Sequence, residues 1–112
     1  MDIQTEIAWA AGFWDGEGCA WRGLRTDKHN RTYSKRGALI CQNDPEALRR
    51  FISAVGAGRI YGPYHPPGRK NEYYQMHLRI PEAISVFTKM WPYLSSIKKK
   101  QALKCFPELE EI

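Results

Sequence analysis

Two acids placed two residues apart, in Asp15-Gly16-Glu17-Gly18, are the first feature able to do chemistry. They fall where a helical pattern ends. The carbonyl end of a helix is already negative, so a carboxylate pair there is unfavourable unless something positive relieves it. A hard divalent cation would. Mg²⁺ takes carboxylate and carbonyl oxygens and keeps several of its waters, so Glu17 and the Gly16 carbonyl are suitable ligands. Such ions activate water and stabilise the leaving oxygen in phosphodiester hydrolysis. Standing alone, a D-x-E triplet is more often a glycine-rich helix end, so the rest of the chain has to supply the context.

A second group is Lys98-Lys99-Lys100, a run that attracts phosphate. A third is the alternation Tyr73, Gln75, His77, Arg79 against Tyr74, Met76, Leu78, Ile80. With a period of two, the second set suits a core and the first makes an exposed ribbon of donors, acceptors and one cation. A two-stranded ribbon fits the DNA major groove, where Arg, Gln and His read base edges.

The elements that must position these groups read as follows. A first helix runs from about Thr5, its expected cap, to Asp15, stopped by Gly16. Strands are expected over 19–25 and 33–42, joined by a polar turn. Asn43-Asp44-Pro45-Glu46 starts a second helix with Asp44 as cap; Leu48, Phe51, Ile52 and Val55 form its apolar stripe. The pattern repeats with strands over 59–64 and 72–80. Pro81 opens a third helix with Ile84, Phe87, Trp91 and Leu94 on one side, ended by Pro92. A last helix covers about 97–106. The order α-ββ-α-ββ-α plus a short terminal helix predicts one α+β domain over residues 1–112: a four-stranded antiparallel sheet with helices packed on one face and the other face toward DNA. The alternation in the first two strands is too irregular to assign their faces.

Charge narrows the partner. The net charge is +5, yet all 17 Lys and Arg lie between Arg22 and Lys104, with five acids among them, an excess of twelve cations. That points to a polyanion. No apolar run approaches the roughly 20 residues of a membrane span. Asp2 and the absence of a basic cluster near the start argue against a secretory signal. Cys19, Cys41 and Cys105 form no C-x-x-C pair, which argues against a disulfide framework and a zinc site; they are expected as small buried hydrophobes in a reducing, intracellular setting.

On the first helix Ala8, Ala11, Gly12 and Asp15 share one stripe, with Trp9, Phe13 and Trp14 to the sides and back. A stripe of small residues lets two helix backbones approach closely, and an identical helix is the expected partner. The alternative is packing on the chain's own core.

The run Ala10-Ala11-Gly12-Phe13-Trp14-Asp15-Gly16-Glu17-Gly18 resembles the signature of the LAGLIDADG homing endonucleases. Ala11, Gly12, Phe13, Asp15, Gly16, Glu17 and Gly18 fit it; Ala10 and Trp14 depart from it, in place of leucine and of a smaller apolar residue. The element order is similar as well. The resemblance implies that Glu17 and the Gly16 backbone oxygen hold Mg²⁺ or Mn²⁺, that Asp15 caps a packed helix pair, that Gln42 orders active-site water, and that Lys98 lies near the scissile phosphate, with Lys100 the alternative register. One copy of the signature implies a homodimer, a long pseudo-palindromic double-stranded DNA target and a staggered cut, with no organic cofactor and no membrane. The expected DNA contacts are Arg25, Lys35, Arg59, Arg69, Lys70, Tyr73, Gln75, His77, Arg79, Lys99 and Lys100. Two other readings stay open: a binding protein on the same fold that no longer cuts, such as an intron splicing cofactor or a regulator, and an unrelated basic α+β nucleic-acid-binding module.

Overall fold

The computed structural model describes residues 2–111. Helix α1 (Ile3–Glu17) leads into a hairpin of β1 (Gly18–Thr26) and β2 (Thr32–Gln42), then α2 (Glu46–Val55), a second hairpin of β3 (Arg59–Tyr64) and β4 (Tyr73–Leu78), α3 (Ile80–Met90), a 3₁₀ turn over Trp91–Tyr93, α4 (Ser96–Cys105) and a 3₁₀ turn over Pro107–Glu111. The sheet is antiparallel with the order β1-β2-β4-β3. The two inner strands are therefore the second member of each hairpin. None of the helices is long and apolar enough to cross a membrane, among the described residues.

The helices cover one sheet face. Ile7, Ala10, Ala11 and Trp14 of α1, Leu48, Phe51 and Val55 of α2, and Ala83, Val86, Phe87 and Met90 of α3 meet Ala20, Ala38, Ile40, Met76 and Leu78 of the sheet. Trp14 is fully buried, edge-on to Phe87 with ring centroids 5.2 Å apart. A Cβ on Gly18 would stand 2.2 Å from the Trp14 ring, so the last glycine of the signature is the one that lets the indole lie against the start of β1. The cost is visible too: the Trp14 indole N–H is buried with no hydrogen-bond partner.

Several boundaries differ from the sequence reading. The α1 cap is Asp2, whose carboxylate accepts from the Thr5 N–H at 2.7 Å, and the helix runs through Gly16 to Glu17 instead of stopping at Gly16. A glycine inside a helix is tolerated where the turn is continued by its neighbours; here the Gly18 N–H closes onto the Trp14 carbonyl. Pro45, not Asp44, is the residue before α2, and Asp44 accepts from the Glu46 N–H instead. β4 ends at Leu78 and α3 starts one residue before Pro81. That moves Ile80 out of the expected core: it is 37% exposed at the head of α3. Ile52 and Ile84 lie only half-buried beside the core. Cys19 and Cys41 are exposed, against the expectation of burial, because both fall on the uncovered sheet face; Cys105 is buried, and burial raises its thiol pKa.

Candidate active site and reading face

Two helix ends meet at the start of β1. Asp15, in the last turn of α1, accepts the backbone N–H of Ser95 with both carboxylate oxygens, at 3.0 and 3.2 Å. Ser95 is the N-cap of α4, and its hydroxyl accepts from the Lys98 N–H at 3.2 Å. The Lys98 ammonium then donates to the Gly18 carbonyl at 2.6 Å. One turn further, Gln101 accepts from the Ala20 N–H at 3.3 Å. β1 is an edge strand whose outer backbone groups lack a neighbour. Lys98 and Gln101 satisfy two of them, so α4 takes the place of a fifth strand at this end.

Glu17, between Asp15 and the lysine's carbonyl partner, is exposed and enters none of the ion pairs among the described residues. Gly16 is exposed beside it. Among the described residues no three His, Cys, Asp or Glu side chains gather as a metal cluster. One chain thus offers one free carboxylate and neighbouring carbonyl oxygens, which suits a hard cation that keeps most of its waters, and not a closed protein cage. Of the lysine run, Lys98 reaches the signature. Lys99 lies over the Trp91 ring, 5.7 Å from its centroid, and Lys100 lines a groove of about 660 Å³ between α4 and β1 with Trp21, Arg22 and Lys104. Gln42 closes β2. Gly18 pairs with Ile40, so Gln42 stands at the same end of the sheet as the α1 terminus; its side chain lines a smaller cleft with Trp9, Asp44 and Arg50.

The outward face of α1 carries the small residues. Gly12 is exposed and Ala8 half-buried, and a Cβ added to Gly12 or Gly16 would meet nothing within 4 Å. Ala11, expected on the same stripe, is fully buried in the chain's own core and is no part of that outward face, because Ile7, Ala11 and Trp14 follow the inward line of the helix. The Asp15 carboxylate, expected at a helix pair, is engaged within the chain by Ser95.

Strand register assigns the uncovered sheet face. The pairs Gly23 with Lys35, Arg25 with Tyr33, Leu39 with His77, Arg59 with His77 and Tyr61 with Gln75 all alternate with core pairs such as Ile40 with Met76. Arg25, Lys35, Arg59, Tyr73, Gln75 and His77 therefore share the outer face, and Arg69 reaches it from the β3–β4 turn by lying over Tyr73 at 4.8 Å. Lys70 is exposed in that turn. Arg79 lies past the end of β4, where its N–H donates to Glu82 at 3.3 Å as α3 begins. The His77 ring donates its Nε2–H to the Gln75 amide oxygen at 2.8 Å, and burial holds its pKa below the usual histidine value. Not every cation faces outward. Arg36 forms a two-pronged pair with Glu108 at 2.7 and 2.6 Å, which holds that carboxyl at about 2, and Arg50 pairs with Glu6 over the Trp9 ring.

The sequence reading missed Trp21, Tyr61 and Tyr64 on the outer face, and Ser95 and Gln101 behind Lys98. Tyr61 was findable by counting two residues from Arg59. Trp21 sits over Gly37, where a Cβ would come within 2.8 Å of its ring, a cross-strand fit visible only once the register is known.

No family model matches the sequence, and no curated protein matches it either. Solved structures do. The homing endonuclease I-CvuI, in complex with its target in the presence of Ca, superposes with a TM-score of 0.76 over 96% of this chain and 68% of its own, at 18% identity. The chain has the LAGLIDADG homing endonuclease fold. The group I intron-encoded homing endonuclease I-CeuI, complexed with DNA, matches with a TM-score of 0.73 over 98% of this chain and 56% of its own, at 16% identity. The LAGLIDADG meganuclease I-CpaMI, bound to uncleaved DNA, matches with a TM-score of 0.64 over 94% of this chain and 39% of its own, at 21% identity. This chain is the shorter partner in each case. The superposed part is nearly the whole of this chain.

Proposed function

We propose that the chain is a site-specific, divalent-metal-dependent endonuclease that cuts both strands of a pseudo-palindromic DNA duplex as a homodimer joined through α1. The observation that carries this reading is the foot of α1: a free Glu17 carboxylate at the end of a helix whose outward face holds Gly12 and Gly16 without any packing reason inside the chain. A helix-interior glycine costs about 1 kcal/mol relative to alanine. Two of them one turn apart, on a surface where the chain itself places nothing, make sense against a closely approaching second helix. Such a pairing brings two Glu17 residues to one end, one for each strand.

Bound Mg²⁺ or Mn²⁺ would supply water activation and leaving-group stabilisation, held by Glu17 and the Gly16 carbonyl. The chain's own groups do the rest. Lys98 places a cation beside that position, where charge builds on the phosphate. Gln42, at the same sheet end, offers an amide to orient water. The outer face lays Arg25, Lys35 and Arg59 toward phosphates and Gln75, His77 and Tyr73 toward base edges. Duplex DNA as substrate fits an intracellular protein.

A supercoiled plasmid pool carrying a randomised insert, incubated with protein and Mg²⁺, tests the reading. Nicking and linearisation of a selected subset are expected, abolished by EDTA and by Glu17→Gln. Binding without cutting at any metal concentration would make the chain a binding protein on this fold.

A further inference from the structure

The bonds behind Lys98 assign a role to residues that carry no chemistry themselves. Lys98 has a long flexible stem, and an unsupported ammonium would sample much of the surface around it. Here its backbone and its tip are both fixed. The backbone is fixed through Ser95, whose hydroxyl takes the Lys98 N–H while its own N–H is held by both oxygens of Asp15. The tip is fixed on the Gly18 carbonyl. Gln101, one turn on, pins the same helix to Ala20. Asp15 and Gly18 flank Glu17, so the segment that bears the acid also sets where the lysine stands.

We propose that Asp15 and Ser95 are positioning residues for Lys98, acting through hydrogen bonds and not through the charge of Asp15. The inference rests on the nuclease reading for its consequence in catalysis, but not for the placement itself. Asp15 needs only an acceptor facing the Ser95 N–H, so an asparagine can serve. A group acting by charge, as a metal ligand or a repulsive neighbour of Glu17, cannot be replaced in that way.

Two measurements on Asp15→Ala, Asp15→Asn and the wild type separate these ideas. The first reads placement without any cutting. In ¹³C,¹⁵N-labelled protein the Lys98 Cε/Nζ correlation, assigned by its loss in Lys98→Arg, should stand apart from those of exposed lysines, because its tip is held on the Gly18 carbonyl. Asp15→Ala should move it into their envelope and Asp15→Asn should leave it in place. A Lys98 signal unmoved in Asp15→Ala overturns the proposal. The second is the single-turnover cleavage rate under saturating DNA, with affinity measured separately in EDTA and dimer mass checked by sedimentation. Asp15→Ala should slow cutting about 10-fold or more, since misplacing a catalytic group by about 1 Å is enough for such a loss, with affinity unchanged. Asp15→Asn should restore most of the rate. An asparagine variant as slow as the alanine variant means the carboxylate acts by charge, which overturns the proposal. If the wild type cuts nothing while the Lys98 signal responds as described, the nuclease reading fails and the placement stands.

Discussion

The foot of α1 and the uncovered sheet face are built by different means. At the foot, the groups around the free Glu17 carboxylate are held by specific partners: Trp14 in the core and on Gly18, Asp15 on Ser95, Lys98 at its backbone and its tip. On the sheet face only the register is fixed. Side chains there are exposed or half-buried and hold one another in pairs, such as Gln75 with His77 and Arg25 over Trp21 at 5.1 Å. The difference teaches where substitution should be costly. Chemistry needs atoms held to within fractions of an ångström, whereas groove reading draws on many contacts of modest individual weight.

The comparison breaks most sharply at Glu17. Glu17→Gln keeps the shape and removes the charge, so cleavage should fall by several orders of magnitude while duplex binding, measured by anisotropy, persists; full cutting by this variant would remove the site from the foot of α1. Next comes Lys98→Met, expected to slow single-turnover cleavage about 10- to 1000-fold with affinity little changed. Lys100→Met should not do so; if it alone abolishes cutting, the lysine register shifts by two residues.

Two glycines of the signature, one in α1 and one just past its end, sharpen the contrast between inside and outside. Gly18→Ala drives a Cβ into the Trp14 ring and should destabilise the chain by about 1–3 kcal/mol in urea unfolding. Gly12→Ala meets open space and should stabilise the isolated chain by up to about 1 kcal/mol, yet Gly12→Leu should raise the dimer dissociation constant in sedimentation and lower cleavage with it. A dimer indifferent to Gly12→Leu would place the interface elsewhere.

On the sheet face smaller effects are expected. Gln75→Ala should relax sequence preference at one position, while Lys35→Ala should weaken binding evenly and reduce the salt slope by about one unit. Equal effects of both on specific and random duplexes would refute a reading face. The smallest effect concerns Glu108, whose folded pKa of about 2 lies below its ordinary value because of Arg36. A depressed carboxylate contributes stability above its unfolded pKa and loses it as pH falls through the folded one. The stability gap between wild type and Glu108→Gln should therefore be full near neutrality and shrink between about pH 4.5 and 2.

Periodicity and punctuation in the sequence were enough to determine the element order and, up to Leu78, the core side of β4. Apolar spacing and Gly or Pro signals act locally, over a few residues. Even there the ends slipped where a competing acceptor was available, as when Asp2 capped α1 in place of Thr5. The faces of β1 and β2 were not legible: arginines and glycines obscure their alternation, and only pairing with the clean strand β4 resolves them. Ala11 shows the limit of a helical wheel. The wheel groups it with Gly12, but which line of α1 turns inward depends on where α2, α3 and the sheet stand. The Asp15–Ser95 bond spans 80 residues, and no local signal announces it. The sequence alone singled out candidates for metal, phosphate and helix contacts, because those are properties of side chains and their near neighbours. Only the tertiary structure decided which lysine reaches the Gly18 carbonyl and which small residues remain on the surface, because both depend on how segments distant in the chain settle against one core.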